Sequence, residues 1–255
     1  MMKECYYNNI KDNFKLHGEL MKVNDSDKII ILCHGLHGDI HECGAFDELV
    51  RYLEMNDINS FRFDFRSSGE SDGTDLDLSI SGEISDLEST ISYLKQNGYN
   101  EFILLGASFG AGVVSLLDVD KYNIKKIVLW YGALDYMHPC NKAFTAEGYE
   151  EAKKFGFYTR RKKNGREFKY SLKLFEEVYS LKPYEKLKSI NIPILFVHGL
   201  CDETIPYEMS ETISKMCKNA ILKLIPSIGH CFRNSEEYRK IAIEETVNFI
   251  KYLTN

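Results

Sequence analysis

Six short apolar runs, each rich in β-branched or aromatic residues, most constrain how this chain can fold. They are Ile29–Cys33, Ser60–Phe65, Phe102–Leu105, Ile127–Tyr131, Ile194–His198 and Ala220–Ile225. Near-continuous apolarity over such lengths suits strands covered on both faces, as in a parallel sheet. Helical patterns fall between them. The clearest sets Ile80, Ile84, Leu87, Ile91 and Leu94 on one face and stops near Asn97-Gly98. The last, about Glu236–Leu253, carries Ile241, Val247, Ile250 and Leu253 on its apolar side. Alternating strand and helix predicts an α/β chain with a mostly parallel, doubly wound sheet. Two N-terminal runs, about Glu4–Ile10 and Phe14–Val23, are expected to pair antiparallel along one edge.

The rhythm breaks between Asp135 and Pro183, a stretch too long for an ordinary connection. Within it, Phe155–Lys163 and Arg166–Leu172 flank Asn164-Gly165, a strong signal for a tight hairpin turn. A single domain over residues 1–255 with an inserted cap at about 136–183, helical with one hairpin, accounts for both features. The cap should lie over the C-terminal edge of the sheet, where open α/β sheets bind ligands. Its aromatics, from Tyr136 to Tyr179, are read as a small core of its own. From Lys142 to Lys173 there are ten Lys/Arg against four Glu, and the run Arg160–Lys163 is read as a solvated hairpin tip.

The turn after Phe102–Leu105 reads Gly106-Ala-Ser108-Phe-Gly110 and then opens a helix. A serine on so tight a strand-to-helix turn needs small neighbours, because a Cβ there would strike the adjoining backbone. Its hydroxyl is presented beside the positive end of a helix. Serine is a poor nucleophile without a base in hydrogen-bond reach, itself oriented by an acid. Two later loops, each after a strand run, offer them: Asp202 before Pro206, and Gly229-His230 before the last helix. Asp135 is the rival for the acid, and Glu203 points elsewhere. His34 and His198 close apolar runs and are read as structural. Acyl transfer also needs donors for an oxyanion. The N–H of Phe109 follows the nucleophile, and Leu36 lies in the loop His34-Gly35-Leu36-His37-Gly38. Asp64 and Arg66, in Asp64-Phe-Arg66-Ser-Ser-Gly69-Glu-Ser71, are expected to order loops.

A net charge of −6 argues against a nucleic-acid binder. No apolar run approaches a bilayer's thickness, and the first residues lack the apolar core of a signal peptide. Cysteines 5, 33, 43, 140, 201, 217 and 231 are scattered without C-x-x-C spacing, which suits reduced thiols and a cytoplasmic location. Cys33, His34, His37, His41 and Cys43 cluster in sequence but lack zinc-type spacing, so no metal is expected.

Taken in order, His-Gly after the first parallel strand, Asp-x-Arg-x-x-Gly-x-Ser, Gly-x-Ser-x-Gly, Asp202 and Gly-His230 resemble the α/β-hydrolase superfamily over almost the whole chain. Within it the chain is similar to small bacterial feruloyl/cinnamoyl esterases and to monoacylglycerol-lipase-like hydrolases. Those relatives commonly carry His before the nucleophile, where this chain has Ala107. The resemblance implies Ser108 as nucleophile, His230 as base and Asp202 as its orienting acid. It also implies cofactor-free hydrolysis of a small-molecule carboxylic ester, aromatic or short-to-medium in its acyl part, through an acyl-enzyme. A homodimer is compatible with the sequence. The alternatives are a monoacylglycerol-lipase-like or aminopeptidase-like hydrolase, or a non-catalytic ligand-binding homologue.

Overall fold

The structure is a computed structural model that describes residues 2–139, 142–162 and 165–252. Eight strands form one sheet: β1 (Met2–Asn8), β2 (Lys15–Met21), β3 (Lys28–Cys33), β4 (Ser60–Phe63), β5 (Glu101–Ala107), β6 (Ile124–Trp130), β9 (Ile194–Gly199) and β10 (Ala220–Ile225). Two more, β7 (Phe157–Arg161) and β8 (Glu167–Ser171), make a separate antiparallel hairpin. The sheet order is β1-β2-β4-β3-β5-β6-β9-β10, antiparallel at β1-β2-β4 and parallel from β4 onward. This is the expected doubly wound arrangement with an antiparallel N-terminal edge.

The helices are α1 (Ala45–Met55), α2 (Ile80–Gln96), α3 (Phe109–Leu116), α4 (Ala146–Phe155), α5 (Leu172–Ser180), α6 (Pro183–Lys188), α7 (Tyr207–Ser214) and α8 (Glu236–Tyr252). The chain steps from β3 outward to β4, then returns to place β5 on the other side of β3. That reversal divides the helices between two faces. One apolar core gathers α2, α3 and the segment between β6 and β9; the other gathers α1 and α8. Ile80, Leu87, Ile91 and Leu94 are fully buried, and Gly98 just beyond α2 takes the left-handed φ of 93°. Trp130, fully buried at the end of β6, donates its Nε1–H to Thr246 Oγ1 at 2.9 Å and so docks α8.

Two details differ from expectation, the end of β4 and the inward face of α8. Strand β4 stops at Phe63: Asp64 N–H still donates to His17 O at 2.9 Å, but Phe65 N–H turns aside to His34 Nε2 at 3.0 Å. Arg66 turns inward onto Asp86, with two guanidinium bonds of 2.9 and 2.8 Å. In α8 the inward face is Ala242, Ile243, Thr246, Val247, Phe249 and Ile250, while Ile241 is exposed. Leu253 and Asn164 lie outside the described residues, whereas Gly165 has the φ of 84° that a tight hairpin turn needs.

The strand ends align. Cys33 pairs with Gly106, Ala107 with Trp130, and Gly199 with Ile225. Loops leaving β3, β5, β6, β9 and β10 therefore share one edge, beside the point where the winding reverses.

Candidate active site

Ser108 sits between β5 and α3 with φ 52° and ψ −117°. A non-glycine residue in such a region carries about 1–3 kcal/mol of strain unless its surroundings hold it there. They do. Ser108 N–H donates to Trp130 O and its carbonyl accepts Ala133 N–H, both at 2.9 Å. The glycines are dictated by contact: a Cβ on Gly106 would lie 2.6 Å from Ala111 Cα, and one on Gly110 2.3 Å from His34 O. The backbone thus crosses itself closely, and the hydroxyl faces the open edge of the sheet.

His230 Nε2 lies 3.1 Å from Ser108 Oγ, and His230 Nδ1 lies 2.8 Å from Asp202 Oδ2. With Nδ1–H donated to the carboxylate, Nε2 is left to accept the serine proton. The ring stands edge-on to Tyr131, at 4.8 Å between centroids, which limits its rotation. The Asp202 side chain is fully buried, which by itself would raise its pKa. Hydrogen bonds from His198 and His230 and the N–H of Ile205 outweigh that and hold the carboxyl well below its ordinary range. Its Oδ1 accepts Thr204 and Ile205 N–H at 2.8 and 2.9 Å. Asp135, the rival acid, instead accepts Met137 N–H at 3.1 Å within its own turn.

Leu36 and Phe109 line the same cleft as Ser108 and His230. No acceptor among the described residues takes the N–H of either. Phe109 is the first residue of α3, where a backbone donor has no partner within the helix. The loop that carries Leu36 is held from below: Glu42, buried, accepts Gly35 N–H at 2.8 Å through Oε2 and the Tyr131 hydroxyl at 3.1 Å through Oε1. Gly35 is packed against Ser108, since a Cβ there would come within 2.9 Å of Ser108 Cβ.

The cleft, about 480 Å³, is closed on its other side by the segment between β6 and β9, through Ala143, Phe144, Arg160 and Lys162. Phe144 packs on Phe109, Tyr170 and Phe175, and the His37 ring stacks on Phe168 at 3.6 Å. Tyr136, Phe168, Tyr170 and Phe175 are buried, as a small core of the segment requires. In the Arg160–Lys163 run Arg161 and Lys162 are exposed, as a solvated tip requires, and Arg160 is half-buried; Arg160 and Lys162 also border the cleft. Lys163 lies outside the described residues.

Residues 24–163, more than half the chain, match the family described as serine aminopeptidase, S33 (Hydrolase_4). The chain belongs to that family. The match takes in Ser108, Leu36 and Phe109 and ends before Asp202 and His230. Across 94% of its length the chain is 27% identical to the uncharacterized protein YfhR of Escherichia coli K12, covering 78% of that protein. Among solved structures, Est1E from Butyrivibrio proteoclasticus superposes with a TM-score of 0.78 at 21% identity, over 97% of each chain. Mouse alpha/beta hydrolase domain-containing protein 10 gives 0.77 at 18%, over 99% of this chain and 100% of that one. This S33-family chain is therefore an α/β-hydrolase of the serine type, and none of the helices described is long and apolar enough to cross a membrane.

Two residues support the site in ways that no sequence pattern announces. His198, at the end of β9, meets Asp202 Oδ2 at 3.2 Å and Ile205 O at 3.1 Å through Nε2, while its Nδ1 accepts the Ser210 hydroxyl at 2.7 Å. It is structural as expected, but the structure it holds is that of Asp202. Glu42 lies between β3 and α1 with no motif around it. His34 matches its reading: Nδ1 donates to Gly35 O and Nε2 accepts Phe65 N–H. Asp64 and Arg66 order loops, also as expected. Among the described residues, the group of metal-ligating side chains drawn within 4.8 Å is Glu4, His17 and Glu70, on β1, β2 and the loop after β4. Cys33, His34, His37, His41 and Cys43 do not gather.

Proposed function

We propose that this S33-family member hydrolyses carboxylic esters through an acyl-enzyme on Ser108. The observation that carries the reading is the relay Ser108–His230–Asp202, at 3.1 and 2.8 Å, beside two unpaired N–H groups. Ser108 Oγ attacks the ester carbonyl as His230 Nε2 takes its proton. Asp202 stabilises the imidazolium and keeps Nδ1 protonated. Leu36 and Phe109 N–H receive the oxyanion, whose charge develops where donors are already aimed. The proton on His230 passes to the departing alkoxide, and water then repeats the cycle on the acyl-enzyme. Residues 136–183 serve as a cap whose Phe144 and Ala143 give the acyl group an apolar wall.

An aromatic or short-to-medium acyl group fits that wall, and Est1E has been solved with ferulic acid bound. An aminopeptidase-like reading is favoured by one observation, the carboxylates of Asp135 and Glu203 on the cleft, which suit a substrate amine. Turnover of methyl ferulate, a monoacylglycerol and an aminoacyl-naphthylamide separates the readings. Labelling by a fluorophosphonate that is lost in Ser108→Ala is the expected result. An unlabelled wild-type protein would leave a non-catalytic ligand-binding homologue instead.

A further inference from the structure

Strand geometry divides the basic run of the hairpin. Successive side chains of β7 point to opposite faces. Arg161 faces outward and pairs with Glu167, its side chain 73% exposed. Arg160, half-buried, and Lys162, exposed just beyond β7, border the cleft that holds Ser108. Arg160 is anchored rather than free: Nη1 donates to the buried Tyr170 hydroxyl at 3.3 Å, and that hydroxyl lies 3.0 Å from His37 Nε2. The hydroxyl accepts from Arg160 and so links it to His37, the neighbour of Leu36. Lys162 rests on the Phe168 ring at 4.7 Å.

Neither Arg160 nor Lys162 meets a carboxylate among the described residues. Burial, then the positive charges of Arg160, Arg166 and Arg233, press the Lys162 pKa downward, and Cys43 works the other way. Arg233, also on the cleft, donates to Cys43 Sγ at 2.6 Å. Of the cleft's carboxylates, Glu42 is committed to Gly35 and Tyr131, and Asp135 and Glu203 belong to the loops after β6 and β9. Cys43 answers Arg233, but Arg160 and Lys162 stand together without a carboxylate partner, and a bound anion relieves the repulsion between them.

We propose that the substrates are esters bearing a second, anionic group, a carboxylate or a phosphate, held by Arg160 and Lys162 with Arg233 while the ester carbonyl meets Ser108. This rests on the ester-hydrolase reading of the same site. A planar guanidinium fixed by Tyr170 suits two-point recognition of either anion, with Lys162 adding a mobile point charge.

Matched esters test it, each rate divided by that ester's hydroxide-catalysed rate. p-Nitrophenyl hydrogen glutarate against p-nitrophenyl pentanoate places a carboxylate on the acyl half. p-Butyryloxybenzoate and p-butyryloxyphenyl phosphate against phenyl butyrate place a carboxylate or a phosphate on the alcohol half. The expected result is a kcat/KM preference of about tenfold for the charged member in at least one arm, shrinking at high salt. Arg160→Ala with Lys162→Ala should erase that preference, Arg160→Lys should retain part of it, and Arg161→Ala on the outer face should leave it unchanged. Thermal melts show that each variant is folded. Ser108-dependent turnover with no preference in any arm, or a preference that survives the double substitution, overturns the proposal. No turnover in any arm together with no fluorophosphonate labelling removes the hydrolase reading itself.

Discussion

The two walls of the cleft are built by different physics. On the sheet side, nearly every polar atom has an assigned partner: Asp202 accepts four hydrogen bonds, His34 and His198 use both ring nitrogens, and Glu42 uses both oxygens. On the hairpin side, contacts are mainly ring on ring, and two cations have no carboxylate partner. Proton transfer depends on direction as well as distance, and directional bonds hold side chains to both. Acyl-group choice depends on volume and charge, which aromatic packing sets without fixing single atoms. The sheet side thus reads as the reaction's half and the hairpin side as the substrate's.

Ser108→Ala gives the largest expected effect, a loss of kcat on the order of 10⁴ to 10⁶, measured on any ester that the wild type cleaves. Its melting temperature should stay near wild type or rise; a large fall would mean that the hydroxyl is structural and would undo the division. Gly110→Ala strikes backbone on the sheet side, with its Cβ 2.3 Å from His34 O. It should cost about 3 kcal/mol or more, read as denaturant midpoint or as loss of soluble protein. Phe175→Ala on the other wall empties a fully buried site against Phe144 and Tyr149. A local loss of about 3 kcal/mol should change acyl-length preference while fluorophosphonate still labels Ser108. Loss of labelling there would join the two walls into one unit.

Smaller effects sharpen the comparison. His198→Ala removes one donor from Asp202 and should lower kcat about tenfold, or ~1.4 kcal/mol, with KM little changed. His37 joins the walls, and burial, then Lys162, Arg166 and Arg160, lower its pKa from 6.5 to about 3. A depressed pKa means that the unfolded chain binds the proton first as pH falls. Stability is therefore full above 6.5 and declines from there toward 3. The melting temperature of wild type should fall relative to His37→Phe across that window, and parallel curves would show that His37 takes up its proton as readily in the folded chain.

Much of this was legible in advance where local chemistry is severe. The Gly106-Ala-Ser108-Phe-Gly110 turn could be read because only glycine tolerates contacts of 2.6 and 2.3 Å at its two ends. Asp202 was harder, because Asp135 follows a strand in the same way; the hydrogen bond from His230 separates them, and it spans 28 positions in the chain. Glu42 and His198 were not legible in these roles. A carboxylate or an imidazole shows no pattern until its partners, distant in sequence, are folded onto it. The Arg160–Lys163 run could be read as exposed, as Arg161 and Lys162 are, but composition alone does not say that Arg160 and Lys162 also border a cleft.

By itself, then, the sequence determined the parallel sheet, the strand-to-helix turn and the glycines that permit it, since each follows from apolar periodicity or from collisions within a few residues. Tertiary structure alone decided which acid meets His230, what steadies Asp202 and the Leu36 loop, and that Arg160 and Lys162 border the cleft that holds Ser108. Those contacts join β3, β5, β9 and the hairpin, and their geometry exists only once the sheet edge and the segment above it are packed together.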